Sequence, residues 1–476
     1  MKIILKKILY IFLFHIPFLL MAQIDRTKAP KLAAFPKIKL AKLKTFELSN
    51  QLKVIVVEDH KEPTLRINFF LDHPPIAENQ KAGIGSILFQ MLRSGTKKYT
   101  KELLDNLLEE FAIDLSLSQG SIYLSSLSKY TEKSLEILSE LICHPTLSSL
   151  KEFNRLIQQK SVLTEAMSKD PKAIHKKVFH TLYYGKDHPY GQIPSAETLK
   201  NIKLEDIKER YNTYCSPHMA YLIFIGDITK KKAKELTQKY FLDWKKKDIS
   251  FQTYKPKAPI SKTEINLVHL PNATQSLISV GSPTELKKSD EDYLALYLFN
   301  NILGGISGRL FSNLREKHGY TYGAYSSIIS DKYYKGSFEA YTKVQTKYTQ
   351  AALIEILKEL KEITSNPVKD QELNLNKRKI IGNFLLNLES PHYIASLFTD
   401  QLIYGIKANF YKNYAKNIDK LTPTLLLKAA HNHISSDHLQ ILIISNIDKI
   451  LPDLKKLGLP IKLLDSSGNF IKQISF

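Results

Sequence analysis

Two stretches of this 476-residue chain follow one plan, offset by about 210–220 residues. Each opens with a strand-like run, Leu52–Val57 and then Ile265–Val268. A second run follows, Leu65–Leu71 and Ser276–Val280, and after it an apolar helix, Gly83–Leu92 and Tyr293–Leu303. Longer helices come next. Leu353, Ile356, Leu360 and Ile363 recur at three- and four-residue steps, the period of an amphipathic helix. Each stretch closes with a strand after a helix, Ala220–Asp227 and Leu439–Asn446. The chain is too long for one ordinary core. An internal duplication explains both the length and the repeated order. A chance likeness between two unrelated α+β domains is the alternative.

The expected layout is a first α+β domain over 46–244 and a second over 263–450. The connector 245–262 carries Lys245-Lys246-Lys247, Pro256 and Pro259 and has no apolar period. Residues 23–45 are a Lys/Pro-rich lead-in, and 451–476 form a short apolar addition. Residues 1–22 read as a secretory signal peptide: Lys2, Lys6 and Lys7 precede an apolar run, Ile8–Leu20, and Ala22 offers a small residue at a cleavage point. That run is shorter than the ~20 residues that span a bilayer. The expected location is therefore secreted, in the periplasm, with no transmembrane segment after cleavage.

Net charge is +21. The lysines are spread over surface-facing helix positions instead of forming an Arg-rich patch with interleaved aromatics, so no nucleic-acid partner is expected. Cys143 and Cys215 are too few for a Cys-rich zinc site and read as buried free thiols. His175 and His180 are five apart and leave a helix at different angles. His431 and His433 cannot share a helical face; with Asp437 and His438 they form the nearest thing to a second cluster. No His-Glu-x-x-His, Walker-type Gly loop or Gly-x-Ser-x-Gly elbow occurs.

The stretch most suggestive of chemistry is 303–323, Leu-Gly-Gly-Ile-Ser-Gly-Arg-Leu-Phe-Ser-Asn-Leu-Arg-Glu-Lys-His-Gly-Tyr-Thr-Tyr-Gly. A helix runs out at Gly304-Gly305, a short helical run follows, and a turn at Gly319 leads into a strand. Arg315 and Tyr322 stand at the two ends of this unit. A planar fork of N–H donors and a phenol O–H suit a peptide carbonyl or an oxyanion. A corner whose Arg simply pairs with a carboxylate is the other reading.

This block resembles the signature of the insulinase-type zinc peptidases, a family that includes pitrilysin and the mitochondrial processing peptidase. Arg315 and Tyr322 match a family Arg and Tyr seven residues apart, with Gly304, Gly305, Arg309, Leu310, Phe311 and Glu316 also in place. His188-Pro189-Tyr190-Gly191 and the strand ending in Gly226-Asp227 resemble further family segments. The resemblance implies two homologous α/β-sandwich halves forming a clamshell, with Arg315 and Tyr322 binding the substrate backbone.

Catalytic members carry His-x-x-Glu-His on the first helix, two zinc ligands and a general base, with a third ligand Glu on a later helix. The matching positions here are Ser86-Ile87-Leu88-Phe89-Gln90. Both His are replaced, by Ser86 and Gln90, and the base by Phe89. Glu165 is retained, with Gln158 in place of its acidic companion. One carboxylate, a hydroxyl and an amide do not make a tight zinc site. The implied reading is a non-catalytic subunit with no cofactor of its own. It would bind a peptide or unfolded polypeptide and supply Arg315 and Tyr322 to a zinc-bearing homologous partner in a heterodimer. The alternative is a catalytically dead clamshell acting as a peptide-binding or assembly component.

Overall fold

The computed structural model describes residue 38, residues 44–255, 257–258 and 260–475; the signal-peptide reading and most of the lead-in lie outside them. Residues 39–476 group as one compact unit. It holds two mixed sheets. The first contains β1 (Lys44–Glu47), β2 (Lys53–Glu58), β3 (Thr64–Leu71), β4 (Asp114–Ser118), β5 (Ser121–Leu127) and β6 (Ala220–Gly226). The second contains β7 (Glu264–His269), β8 (Gln275–Thr284), β9 (Thr321–Ile329), β10 (Gly336–Gln345), β11 (Gln440–Ser445), β12 (Ile461–Leu464) and β13 (Phe470–Ile474).

The duplication is visible in the strand order. The first sheet runs β1-β2-β6-β3-β5-β4 and the second β13-β12-β7-β11-β8-β10-β9. Five strands correspond in sequence and in direction. β2 is parallel to β6 as β7 is to β11, and every other pair in the two series is antiparallel. The halves differ at the opposite edge, where β1 extends the first sheet. The stretch after 451, read from sequence only as an apolar addition, supplies β12 and β13 to the second. In both halves the last of the five, β4 or β9, is a free edge of its sheet.

The central strands β6 and β11 are buried almost throughout. Their unbroken apolar runs, Tyr221–Ile225 and Ile441–Ile444, suit strands covered on both faces. One face of the first sheet packs on helices of its own half: Val54, Val56, Ile67 and Phe224 share a core with Ile87, Leu135 and Leu138. The other face is covered by the opposite half. Ile55, Val57, Tyr221, Ile223 and Ile225 pack against Ala395 and Phe398 of the helix Pro391–Ile403. Reciprocally, Val268, Leu277, Leu442 and Ile444 of the second sheet pack against Ile174, Val178 and Phe179 of the helix Pro171–Tyr184. Both exchanged helices begin alike. Asp170 and Ser390 cap them by accepting from Ala173 and Tyr393 N–H, and Pro171 and Pro391 occupy the first turn, where no N–H is needed. Phe398 is 5% exposed, so Phe398→Ala is expected to cost about 3–5 kcal/mol. It should appear as a lower urea midpoint with both halves affected, because the lost side chain belongs to one half and its cavity to the other.

Polar contacts add to the interlock. The turn between β9 and β10 is tied to the first half: Asp72 accepts from Tyr333 Oη at 2.8 Å and Lys332 Nζ at 2.6 Å, and Tyr190 Oη donates to Asp331 Oδ2 at 2.7 Å. The His-Pro-Tyr-Gly segment makes the tight corner that presents Tyr190. His188 Nδ1 accepts from Tyr190 N–H at 3.1 Å. A Cβ at Gly191 would lie 1.8 Å from Gly185 O, so only glycine fits there.

Candidate functional site

The unit that carries Arg315 is built by close packing. The helix Tyr293–Gly304 runs onto β9, where a Cβ on Gly304 would stand 2.0 Å from Ser326 N. The chain turns, resumes as a helix at Arg309–Phe311, and widens into a π-helical turn over Ser312–Lys317, with His318 N–H donating to Asn313 O at 3.1 Å. Such wide turns are uncommon and gather at functional sites. Two anchors hold it. Arg309 makes a two-pronged ion pair with Glu372 at 2.9 and 2.7 Å, and Asn313 Nδ2 donates to Glu355 and Glu359 at 2.9 and 2.7 Å.

Arg315 is left outward. It is exposed, its guanidinium lies over the Phe311 ring at 4.8 Å, and no carboxylate among the described residues pairs with it. The corner-with-an-ion-pair reading therefore fits Arg309, which has its carboxylate, and not Arg315. An arginine kept on an aromatic ring is oriented without its N–H fork being consumed.

Tyr322 is aimed by a bulge. On β10, Val344 opposes Thr321 and Thr342 opposes Ala324, so Tyr322 and Gly323 together face Lys343 alone. Thr321 Oγ1 lies 2.8 Å from Lys343 O and accepts from Gly323 N–H at 3.1 Å, and Thr342 Oγ1 donates to Gly323 O at 2.9 Å. Bulges redirect side chains at sheet edges. The result is a tyrosine 86% exposed on an edge strand, its Oη without a partner among the described residues. A tyrosine serving only the fold would bury its ring. Beside it on β9 and β10, Tyr325 and Tyr341 form an exposed cross-strand pair 5.7 Å apart. The sequence reading passed over both, although Tyr322 and Tyr325 three residues apart in an otherwise alternating strand hint at a break in register.

The metal-site positions lie on the helix Ile84–Met91 of the first half. Ser86, Phe89 and Gln90 occupy one face by their spacing. Phe89 is 4% exposed and belongs to the core. Gln90 is exposed and its amide Nε2 donates to Leu117 O of β4 at 2.8 Å. The helix start is organised without a metal: Glu78 accepts from Gly83 and Gly85 N–H at 2.6 and 3.0 Å and meets Arg210 at 3.3 Å. Phe89 lines a cavity of about 380 Å³ together with His73, Gln119 and Arg210. Burial pushes the His73 imidazole down, so it stays neutral, and its Nδ1 sits 2.7 Å from Pro74 O. Glu165 is exposed on the helix Leu150–Met167. Ser86, Gln90 and Glu165 do not fit zinc: two of the three are neutral oxygen donors, and the base position is a buried ring. Among the described residues no three His, Cys, Asp or Glu side chains gather as a metal site.

The other histidines are spoken for in part. His175 Nε2 lies 2.7 Å from Glu339, His180 Nδ1 3.0 Å from Tyr190 O, His431 Nε2 2.6 Å from Thr364 O, and His433 Nε2 3.3 Å from Asp292. Cys143 and Cys215 are free, and burial pushes both thiols up, that of Cys215 to about 12. No described helix is long and apolar enough to cross a membrane.

Comparisons with known proteins bear on the family and the fold. A family model described as "Insulinase (Peptidase family M16)" matches residues 53–190, and one described as "Peptidase M16 inactive domain" matches residues 201–380. The chain is 23% identical over 319 residues to a probable inactive metalloprotease, YmfF, of Bacillus subtilis, covering 64% of this chain and 72% of that one. It is 23% identical over 422 residues to the non-peptidase homologue YmxG of Helicobacter pylori, covering 85% and 95%. Among solved structures, a peptidase M16 inactive domain from Pseudomonas fluorescens superposes with a TM-score of 0.76 at 20% identity, covering 85% of this chain and 98% of that one. Two family models along the chain, a shared two-halved fold and a motif emptied of its ligands lead to one conclusion: the chain belongs to the insulinase family of peptidases, M16.

Proposed function

We propose that this chain is a non-catalytic, substrate-binding subunit of an exported insulinase-type metallopeptidase. Its partner is a zinc-bearing homologue, and their heterodimer takes a peptide or unfolded polypeptide. One observation carries the reading: the metal positions of the first half keep a single carboxylate, Glu165, and no histidine, while the second half presents Arg315 and Tyr322 outward with no hydrogen-bond or ion-pair partner among the described residues. A dead scaffold gains nothing from an exposed phenol on a stitched bulge and an exposed guanidinium with no carboxylate partner among the described residues. In the assembled enzyme the partner's metal acts on the scissile bond. Arg315 and Tyr322 donate to the peptide carbonyl, where negative charge grows in the transition state. The free edge of β9, which bears Tyr322, offers backbone groups to an extended peptide in the same place.

Export to the periplasm rests on the sequence pattern of residues 1–22. The test is a pull-down of the tagged full chain from its native source. A His-x-x-Glu-His homologue should be recovered in equal amount. Recovery without any such homologue, with only unrelated envelope proteins, would favour the assembly-component reading.

A further inference from the structure

The second sheet is covered on one face by the helix Pro171–Tyr184, but not out to its free edge. The register shows which side chains lie on that face. Tyr325 opposes Tyr341, Tyr341 opposes Ser279, and Ser279 opposes Leu442, which packs on the helix. Past the helix, Tyr341, Tyr325 and Ile329 remain 41%, 37% and 55% exposed. The Tyr325 ring lies along its own strand. A Cβ on Gly323 would stand 2.5 Å from Tyr325 Oη and 2.8 Å from its ring carbons, so the ring occupies the space that glycine leaves. Gly323 and Tyr322 oppose Lys343, two residues from Tyr341 and therefore on the same face. Tyr322, Tyr325 and Ile329, with Tyr341 behind, thus form a shelf along the free edge. Toward the covering helix it ends at Glu339, which His175 meets at 2.7 Å and to which Ser279 Oγ donates.

The duplication supplies an internal comparison. In the first half the corresponding row runs Ile223, Asn68, Tyr123, Ser116, and Ile223 packs against the exchanged helix Pro391–Ile403. On this face the edge strand β4 therefore exposes Asp114, Ser116 and Ser118, where β9 exposes Tyr325 and Ile329. The fold does not need large side chains at this edge. They occur only on the half that presents Arg315 and Tyr322, and clustered exposed aromatics mark a binding surface.

A peptide that pairs with β9 sends every second side chain onto this face. The residue opposite Tyr325 meets its ring, and the next on that face lies over Ser327, between Tyr325 and Ile329. Backbone pairing is blind to sequence, so selection falls to the shelf. A second copy of the chain carries the same net charge of +21 and is the poorer occupant. We infer that Tyr325 and Tyr341, with Ile329, select peptides in which large apolar or aromatic side chains alternate with small or polar ones. The inference rests on the peptide-binding reading above and names its substrate class.

The probes are two fluorescein-labelled peptides, Gly-Ser-Phe-Ser-Phe-Ser-Phe-Ser-Gly and the same sequence with Ala for each Phe, added to the full chain and followed by anisotropy. The Phe peptide should bind about tenfold more tightly. Tyr325→Ser, which installs the residue β4 carries, and Tyr341→Ser should each reduce that ratio severalfold, and together bring it to about one. Tyr325→Phe keeps the ring and should keep the preference. Affinity for the Ala peptide should be the same in every variant, since the strand edge is intact. Equal affinity of the unsubstituted chain for both peptides, or a preference that survives the double substitution, overturns the inference. So does self-association that Tyr325→Ser abolishes with no change in peptide preference, which would give the face to a second copy. Binding is read on this chain alone, so the two readings fail separately. Cleavage of both peptides at equal rates by the mixture with a zinc-bearing homologue would sink the shelf and leave the subunit reading standing. A Phe preference in binding with no cleavage by any such mixture would do the reverse.

Discussion

In the proposed two-chain peptidase, Arg315→Ala is expected to lower kcat/KM by about 10²-fold, with most of the loss in kcat. The magnitude follows from what Arg315 offers. It is a permanent cation with a planar pair of N–H donors, which in the proposed complex would meet a carbonyl oxygen that gains charge as the peptide bond is attacked. Such a contact is stronger in the transition state than in the ground state, which is why turnover falls more than binding. Fold and assembly should not suffer: Arg315 is exposed, its guanidinium lies over the Phe311 ring, and the neighbouring anchors Arg309–Glu372 and Asn313–Glu355 are untouched. Tyr322→Phe removes one neutral donor from an exposed side chain, so a smaller loss of about tenfold is expected. Size-exclusion profiles and melting temperatures of both variants should match the parent. Turnover unchanged in both would return the chain to the scaffold reading.

The second large effect concerns metal. Purified alone and dialysed, the chain should hold well under one equivalent of zinc by elemental analysis and cleave no peptide. The physical reason is local. A catalytic site needs three strong donors and a carboxylate to take the proton from bound water. Here the donor positions are a neutral hydroxyl at Ser86, a neutral amide at Gln90 and a single carboxylate at Glu165, and the base position is a ring in the core. Restoring histidine at 86 and 90 alone should still leave the chain inert, because Phe89 cannot accept a proton. Stoichiometric zinc in the unmodified chain would contradict this account.

Much of this was legible in the residues. The duplication showed because the central strands, covered on both faces, have unbroken apolar runs such as Tyr221–Ile225 and Ile441–Ile444. The block around Arg315 and Tyr322 showed because its glycines and anchors are required by a single corner. What did not show has a common cause. Periodicity reveals that a helix buries a face, not which sheet receives it, so the exchange of Pro171–Tyr184 and Pro391–Ile403 between halves was invisible. The strands Ile461–Leu464 and Phe470–Ile474 are short and half-exposed, and so lack a strong pattern. The bulge at Tyr322–Gly323 depends on pairing with Lys343 across the sheet, and the junction at Leu182 O on Lys257 and Gln440, 75 and 258 residues away. Neither has a local signal.

This chain is proposed to complete another chain's active site. The direct measurement is peptidase activity when it is mixed with a zinc-bearing M16 homologue from the same organism, each first assayed alone. Cleavage of an unstructured peptide that appears only in the mixture, disappears with a chelator and is lost with Arg315→Ala is the predicted result. Full activity of the zinc-bearing homologue by itself, unaffected by adding this chain, would contradict it.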